Sequence, residues 1–231
     1  MDLQDLILNF RKQVSDQSTP YLWDDDEALL FAIDAQDKFV RVMGGISDNG
    51  GTGAGTALTD LALTADTPTT ALSPYILRIR SGKLLTAERN VKFVDEAQIS
   101  SMLDASDYGL PTPVSLKDDD TGSVQYGVLG LEDNSVRWYK VPATDDTCRL
   151  HIYRLPYPRI TAQEDDLEID EQHHLHLIKW MKYHAYSKED AETYDKDLAD
   201  KNEAAFNKYC QEAKLEKDRQ RFTPRVVRSN Y

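Results

Sequence analysis

Three closely spaced histidines, His173, His174 and His176, are the residues whose spacing most directly suggests chemistry. Residues at i and i+3 share one face of a helix, so two of these imidazoles can approach the same ligand. A catalytic zinc ion needs three converging protein ligands, and the sequence contains no His-Glu-x-x-His pattern. His174 and His184 also lie on an apolar helical stripe, where packed histidines are ordinary. We therefore predict no metal site and keep a metal-dependent hydrolase as an alternative.

Three runs of acidic residues, 24–27, 118–120 and 164–166, form a second candidate group. A calcium loop needs acids at alternating positions and a closing bidentate Glu, and Gly122 stands where the third acid of the middle run should be. We predict that the first run caps a helix and that the other two lie in solvated loops. A glycosidase-like carboxylate pair is defined by distance rather than by spacing, so a carboxylate-dependent hydrolase is also kept as an alternative.

Other catalytic and cofactor patterns are missing. The glycine-rich stretch 50–55 lacks the Lys-Ser or Lys-Thr of a phosphate loop, and Leu58 stands where a dinucleotide fingerprint starting at Gly53 needs glycine. There is no Gly-x-Ser-x-Gly elbow. Cys148 and Cys210 are far apart, which predicts a reducing site of synthesis and no disulfide framework. We predict no catalytic residues, no cofactor and no enzymatic activity.

The charge is distributed unevenly along the chain. The 231 residues carry a formal net charge of −13. Residues 217–231 hold five basic residues and one acidic residue, a net charge of +4, so the remainder carries −17. An acidic body repels nucleic acid, which argues against general DNA binding. No apolar run approaches the roughly 20 residues that span a bilayer, and the N-terminus lacks the pattern of a signal peptide, so we predict no membrane partner.

Apolar residues at both ends of the chain recur at helical spacing and predict four helices. The first covers residues 2–15, the second runs from its N-cap Asp24 to Gly44, the third opens at Asp170, and the fourth covers about 189–217. Single helices are marginal alone, so the two pairs are expected to form one discontinuous four-helix bundle. The predicted inward residues are Leu3, Leu6, Ile7, Phe10, Val14, Leu29, Leu30, Ile33, Val40, Met43, His174, Leu177, Ile178, Met181, His184, Ala185, Ala191, Tyr194, Leu198, Ala205, Phe206, Tyr209 and Ala213.

The middle of the chain has the alternation typical of strands. Strands are predicted at residues 58–63, 76–80, 91–94, 125–131, 136–141 and 148–155, with a short helix at 95–103. The fold class is therefore α+β. The predicted divisions are an N-terminal helix pair at 1–43, a flexible glycine-rich loop at 44–57, a β-rich insertion at 58–160, a C-terminal helix pair at 161–217 and an extended basic arm at 218–231.

The C-terminal tail alternates arginine with apolar residues. Pro224 disfavours helix at Thr223, so the chain is expected to be extended there. Such a segment is either a solvated terminus or an arm that docks on a partner through apolar anchors and Arg–carboxylate pairs. The predicted docking residues are Arg219, Arg221, Phe222, Arg225, Val226, Val227 and Arg228.

Five segments in a characteristic order resemble the head-to-tail adaptor (connector ring) proteins of tailed bacteriophages, especially short-tailed ones. They are residues 20–23, 33–36, 153–156, 168–175 and 185–192. The resemblance covers nearly the whole chain and is strongest in the helical ends. It implies a virion protein that forms a ring, typically of twelve copies, beneath the portal protein, extends the DNA channel and presents a platform to tail or nozzle proteins.

The same resemblance implies roles for parts of the chain. The basic arm would engage the portal, the strand-rich middle would contact the tail or neighbouring subunits, and genomic DNA would pass without specific binding. Synthesis would occur in the host cytoplasm, and no catalytic residues carry over. A virion interaction module that does not bind portal is the remaining alternative.

Overall fold

The computed structural model describes residues 1–50, 56–95, 97–99, 116–189 and 193–221. By contact clustering the chain forms two compact units, a helical unit of Met1–Gly45 with the chain from Pro158 onward, and a sheet unit of Ile46–Tyr157. The predicted α+β class is confirmed. The helices are α1 (Leu3–Gln13), α2 (Asp25–Val42), α3 (Thr56–Thr59), α4 (Glu171–Ser187) and α5 (Lys196–Arg221). The strands are β1 (Ile46–Asp48), β2 (Asp60–Leu63), β3 (Thr69–Ala71), β4 (Ile76–Leu84), β5 (Asn90–Asp95), β6 (Thr121–Gly122), β7 (Tyr126–Leu129), β8 (Ser135–Trp138), β9 (Val141–Pro142) and β10 (Asp146–Arg154).

Side-chain caps start the first two helices, as the sequence predicts for the second. Asp2 accepts a 2.7 Å hydrogen bond from the backbone N–H of Asp5, and Asp24 accepts one of the same length from Glu27. These bonds satisfy amide groups that have no partner within the helix. The predicted apolar stripe of α1 is confirmed, with all five of its residues buried.

The helical unit buries one apolar cluster to which α1, α2, α4 and α5 all contribute. The contacting pairs are α1–α2, α1–α4, α2–α4, α2–α5 and α4–α5. Burial of this shared cluster supplies the stabilisation that each helix lacks alone. Its largest fully buried side chains are Trp23, Phe10, Phe206, Leu3, Leu6, Leu177, Ile178 and Met181.

Two of the predicted inward residues are exposed. Leu30 is 59% exposed, because α2 instead turns Ala28, Ala32 and Ala35 towards the core. Tyr194 is 49% exposed and precedes α5, which begins at Lys196 rather than near residue 189. Ala191 lies outside the described residues.

The sheet unit is organised around β10, which pairs with β1, β2 and β4. The strand order is β1-β10-β4-β5-β7-β8-β3, with β2 also on β10 and a separate β6–β9 pair. All pairings are antiparallel except β5–β7 and β6–β9. Alternate residues of β10 point into the core, as its sequence predicts. That core contains Leu58, Leu63, Leu84, Val91, Val124, Val136, Trp138, Cys148, Leu150 and Ile152.

Several short strands differ from the sequence prediction. β1 lies inside the segment 44–57 that was predicted to be a flexible loop, and residues 56–59, partly predicted as strand, form α3. β3 and β6 were not predicted. Strands of two or three residues carry too little alternation to be recognised, and β1 is fixed by its partner: Arg154 Nε donates to Asp48 Oδ2 at 2.6 Å. Of the predicted helix at 95–103, residues 97–99 are helical, with Ile99 buried.

Both cysteines are free and buried, one in each unit. Burial disfavours the thiolate and raises the pKa of Cys148 to about 12 and that of Cys210 to about 11. Neither thiol is therefore suited to act as a nucleophile.

Candidate functional site

The last helix limits where the predicted C-terminal arm can begin. Arg219 and Arg221 lie in the last turn of α5, which continues four residues beyond the predicted end at 217, so the extended segment cannot start at 218. Lysine, arginine and glutamine are good helix formers, which favours continuation of the helix to Arg221. The remaining predicted docking residues, Phe222, Arg225, Val226, Val227 and Arg228, lie outside the described residues.

The end of α5 is attached to the C-terminal end of α2 by a lysine. Lys217 Nζ donates to the backbone oxygens of Met43 and Gly45, each at 3.2 Å. The final carbonyls of a helix lack intrahelical partners and carry a partial negative charge, so an ammonium group there is stabilising. The contact holds the C-terminal part of α5 against the end of α2. No local pattern predicts this contact, because the partners are more than 170 positions apart in the chain.

Two of the three neighbouring histidines pack on Tyr209 of α5. His173 Nδ1 lies 2.7 Å from the Tyr209 hydroxyl, and the His176 ring stacks on the Tyr209 ring at 3.5 Å between centroids. Phe39 of α2 lies 4.7 Å from the His173 ring centroid. Burial lowers the pKa of both histidines because it disfavours the charged ring. These side chains join three helices.

His174 is engaged through both of its ring nitrogens. Nδ1 lies 2.9 Å from the Met1 carbonyl oxygen, and Nε2 lies 2.9 Å from that of Ile169. The ring is 3% exposed. Among the described residues no three His, Cys, Asp or Glu side chains are grouped to hold a metal ion.

The acidic runs mainly hold local structure. Asp24 caps α2, as predicted. Asp118 and Asp120, predicted to be in a solvated loop, accept from Arg137 at 2.6 Å and Lys140 at 3.2 Å. Asp165 accepts from the backbone amides of residues 161 and 162, which closes a turn.

Asp34 on α2 connects that helix to α4. Trp180 Nε1 donates to Asp34 Oδ2 at 2.6 Å, and His184 Nε2 lies 2.7 Å from the same oxygen. The His184 ring also stacks on Phe31 with centroids 5.5 Å apart. Asp34, Phe31 and His184 line a surface groove of about 370 Å³ that also includes Asp37 and Arg159. The two carboxylates of this groove have different environments.

The two groove carboxylates are shifted in opposite directions. Partial burial alone would raise the pKa of Asp34, but hydrogen bonds from Trp180 and His184 outweigh it and lower that pKa below its ordinary 3.8. Burial raises the pKa of Asp37 because its attraction to Arg159 and Arg41 is weaker. Asp34 therefore makes a structural contact between α2 and α4, and Asp37 is a nearby carboxyl group that protonates more readily.

We expect Asp37 to protonate before Asp34 as pH falls, which carboxyl ¹³C NMR can follow. Because the pKa of Asp34 is lowered, its contribution to stability is full above pH 3.8 and is lost as pH falls through the lowered value. Trp180→Phe, which removes the indole donor, should raise the pKa of Asp34. Titration of Asp34 before Asp37 in the wild type would contradict the assignment.

A buried ionic network at the start of the chain was missed by sequence analysis. Arg11 is 3% exposed, and its Nη1 donates to Asp16 Oδ2 at 2.8 Å and to the Trp23 carbonyl at 2.9 Å. Its Nη2 donates to Asp25 Oδ1 at 2.7 Å. The feature of the sequence that could have indicated this network is the position of Arg11, which lies four residues after Ile7 on the inward face of α1. The network fixes the loop that leads into α2.

The comparison with known proteins agrees with the structural roles of the histidines, the acidic runs and Arg11. The family model described as SU10 adaptor protein matches residues 1–229. A search of curated proteins gives no match. In the described part of the chain, every helix is too short or too polar to cross a membrane.

Proposed function

The chain belongs to the SU10 adaptor protein family, and from this premise we propose that it forms a ring beneath the portal, extends the DNA channel and offers a platform to the tail. Membership makes it a bacteriophage adaptor protein, with a structural role in the virion and in tail assembly. The observation that carries the proposal is the match over residues 1–229, because it includes both units.

The finer parts of the proposal concern the assembly. We propose a ring of about twelve copies, by analogy with the connector rings that the chain resembles, in which DNA passes without specific binding. The −17 charge of residues 1–216 supports this, because an acidic wall repels phosphate. Tail or nozzle proteins are the proposed partners on the other side, the proposed phage type is short-tailed, and synthesis is proposed in the host cytoplasm.

The proposed architecture is a discontinuous four-helix bundle of α1, α2, α4 and α5 with the sheet unit inserted between its halves. Its support is the common apolar cluster and the contacts among these helices. In this arrangement the helical unit carries the portal contact, and the sheet unit contacts the tail or neighbouring copies.

The proposed portal contact is the basic tail, with Arg219 and Arg221 in the last turn of α5 followed by Phe222, Arg225, Val226, Val227 and Arg228. Its support is the +4 charge of residues 217–231 and the attachment of Lys217 to the end of α2. Arginine forms two-pronged hydrogen bonds with carboxylates, and the interleaved apolar residues add specific anchors.

Co-sedimentation with the cognate portal ring tests the proposal. The full chain should bind in saturable, multi-copy fashion, and a chain ending at Arg221 should lose that binding. This end point keeps α5 and the Lys217 contacts, so the loss would not reflect a damaged helix. Arg225→Glu with Arg228→Glu should unfold at the wild-type urea concentration yet bind portal at least about tenfold more weakly.

Other results would favour other functions. Binding that survives truncation at Arg221 would keep the adaptor and move the contact away from the tail. Absence of portal binding, with binding to another virion protein, would indicate an interaction module. Stoichiometric metal in the purified protein, or hydrolytic activity lost on substituting Asp34 or Asp37, would favour a hydrolase.

A further inference from the structure

One face of the sheet unit presents cations on an otherwise acidic protein. Across β10 and β4, Arg149 lies opposite Lys83, and His151 lies opposite Ser81. Across β4 and β5, Lys83 lies opposite Asn90, and Lys92 follows two residues later on the same face. Paired residues and residues two apart share one face of a sheet. This register therefore gathers the basic groups on one side.

The gathered residues line a groove of about 370 Å³, here called the basic groove: Ser81, Lys83, Asn90, Lys92, Arg149 and His151. Lys83 and Lys92 are exposed, and among the described residues neither forms a salt bridge. Arg149 is already paired with Asp60 at 2.7 Å. The groove thus offers two unneutralised ammonium groups beside the hydrogen-bonding side chains of Ser81 and Asn90.

The opposite side of the same strands is closely packed. Gly82, between Ser81 and Lys83, faces the core, where an added Cβ would lie 2.8 Å from Cys148 Sγ and 2.9 Å from a Phe93 ring carbon. The close approach of these core groups holds β4 and β5 under the groove. The two lysines are therefore displayed on a packed sheet rather than on a loop.

The complementary surface is present on the same chain. Residues 1–45 and 158–216, which make up the helical unit without its tail, hold 24 acidic and 12 basic residues, a net charge of −12. In a ring, each copy meets its neighbour through two different patches, so one chain must carry both halves of the interface.

We propose that the basic groove binds carboxylates on the helical unit of the neighbouring copy and forms part of the contact between subunits. This inference rests on the proposed ring. Charge complementarity between the groove lysines and these carboxylates selects the neighbour and its register.

Nucleic acid fits the groove less well. Duplex-binding proteins typically neutralise about 6–10 phosphates. The groove supplies Lys83 and Lys92 together with an Arg149 that Asp60 already neutralises. The net −13 of the chain further opposes a polyanion, while individual carboxylates of a neighbour can each pair with one lysine.

Zero-length cross-linking in the assembled complex tests this contact. Equal amounts of ¹⁴N- and ¹⁵N-labelled full chain are assembled on portal rings and treated with a carbodiimide, which joins amines to carboxylates in contact. Mixed-isotope peptides should join Lys83 or Lys92 to acids in residues 1–45 or 158–216, and should disappear in 1 M salt. Lys83→Glu with Lys92→Glu should raise the concentration for half-saturation of the portal about tenfold. Lys117→Glu, an exposed lysine of the same unit outside the groove, is the matched control.

The possible outcomes distinguish failure of the groove assignment from failure of the proposed ring on which it rests. If the wild type does not load portal in several copies, the proposed ring fails, and this inference fails with it. If the wild type forms the multi-copy complex but the groove lysines cross-link only to portal, or the double variant assembles like Lys117→Glu, the ring stands and the groove assignment is overturned.

Discussion

Replacing Trp23 with alanine is expected to lower the free energy of unfolding by about 3–5 kcal/mol. The side chain is 1% exposed and immediately precedes the cap of α2. Its ring makes edge contacts with Phe10 at 6.0 Å and with Tyr186 at 6.2 Å between centroids, so it joins α1, α2 and α4. Truncation would leave a cavity that three helices cannot close without moving.

The loss of stability should come from lost packing contacts and not from a lost hydrogen bond. Within the described chain, Trp23 Nε1 is buried and has no hydrogen-bond partner. Trp23→Phe, which keeps a ring and removes the unpaired N–H, should therefore cost clearly less than Trp23→Ala. Leu22→Ala is the matched control, because that neighbouring side chain is 49% exposed.

Urea unfolding followed by far-ultraviolet circular dichroism measures the difference, since it does not depend on the tryptophan that is removed. Equal midpoints for Trp23→Ala and Leu22→Ala would contradict the assigned packing.

Replacing Arg11 with methionine is expected to destabilise the chain by a similar amount, about 3–5 kcal/mol, because it leaves a buried charge without its partner. Asp16 is 3% exposed and would lose the 2.8 Å contact with the guanidinium. The Trp23 carbonyl would lose its donor at the same time. Methionine nearly matches the volume of the arginine stem, so the effect reports the charge network more than a cavity.

A double-mutant cycle identifies that cause. Asp16→Asn removes the charge but keeps an oxygen that can accept from the Leu22 amide, which lies 2.9 Å from Asp16 Oδ1. Arg11→Met with Asp16→Asn should therefore be more stable than Arg11→Met alone. Lys12→Met, at the exposed neighbouring position, should change stability by less than about 0.5 kcal/mol. If Arg11→Met matches Lys12→Met, the network does not contribute to stability.

Local patterns predicted the helices best where one face alone is apolar. The α1 stripe and the Asp24 cap were both correct, because periodicity and capping depend on residues within one or two turns. α2 was less predictable: its three alanines are small enough to pack closely, and the larger Leu30 is exposed. Hydrophobicity identifies a helix more reliably than it identifies which of its faces another helix will cover.

The candidate arm likewise has one property that the sequence predicted and one that it did not. Its basic and apolar composition was predictable from the sequence. The predicted start at 218 was wrong, because residues with high helix propensity extend α5 to Arg221. The basic groove was not predicted at all. Lys83, Lys92 and Arg149 are unremarkable in sequence and come together through the pairing of β10 with β4 and of β4 with β5.

Composition, charge distribution, helix periodicity and caps are properties of neighbouring residues, so the α+β class, the helical ends and the acidic body with its basic tail followed from the chain alone. The Arg11 network, the Asp34–Trp180 contact, the Lys217 attachment and the basic groove depend on folding. The last three join groups from tens to more than 170 positions apart. Such contacts form only after loop-closure entropy has been overcome by burial of a shared core, and their geometry is absent from any local pattern.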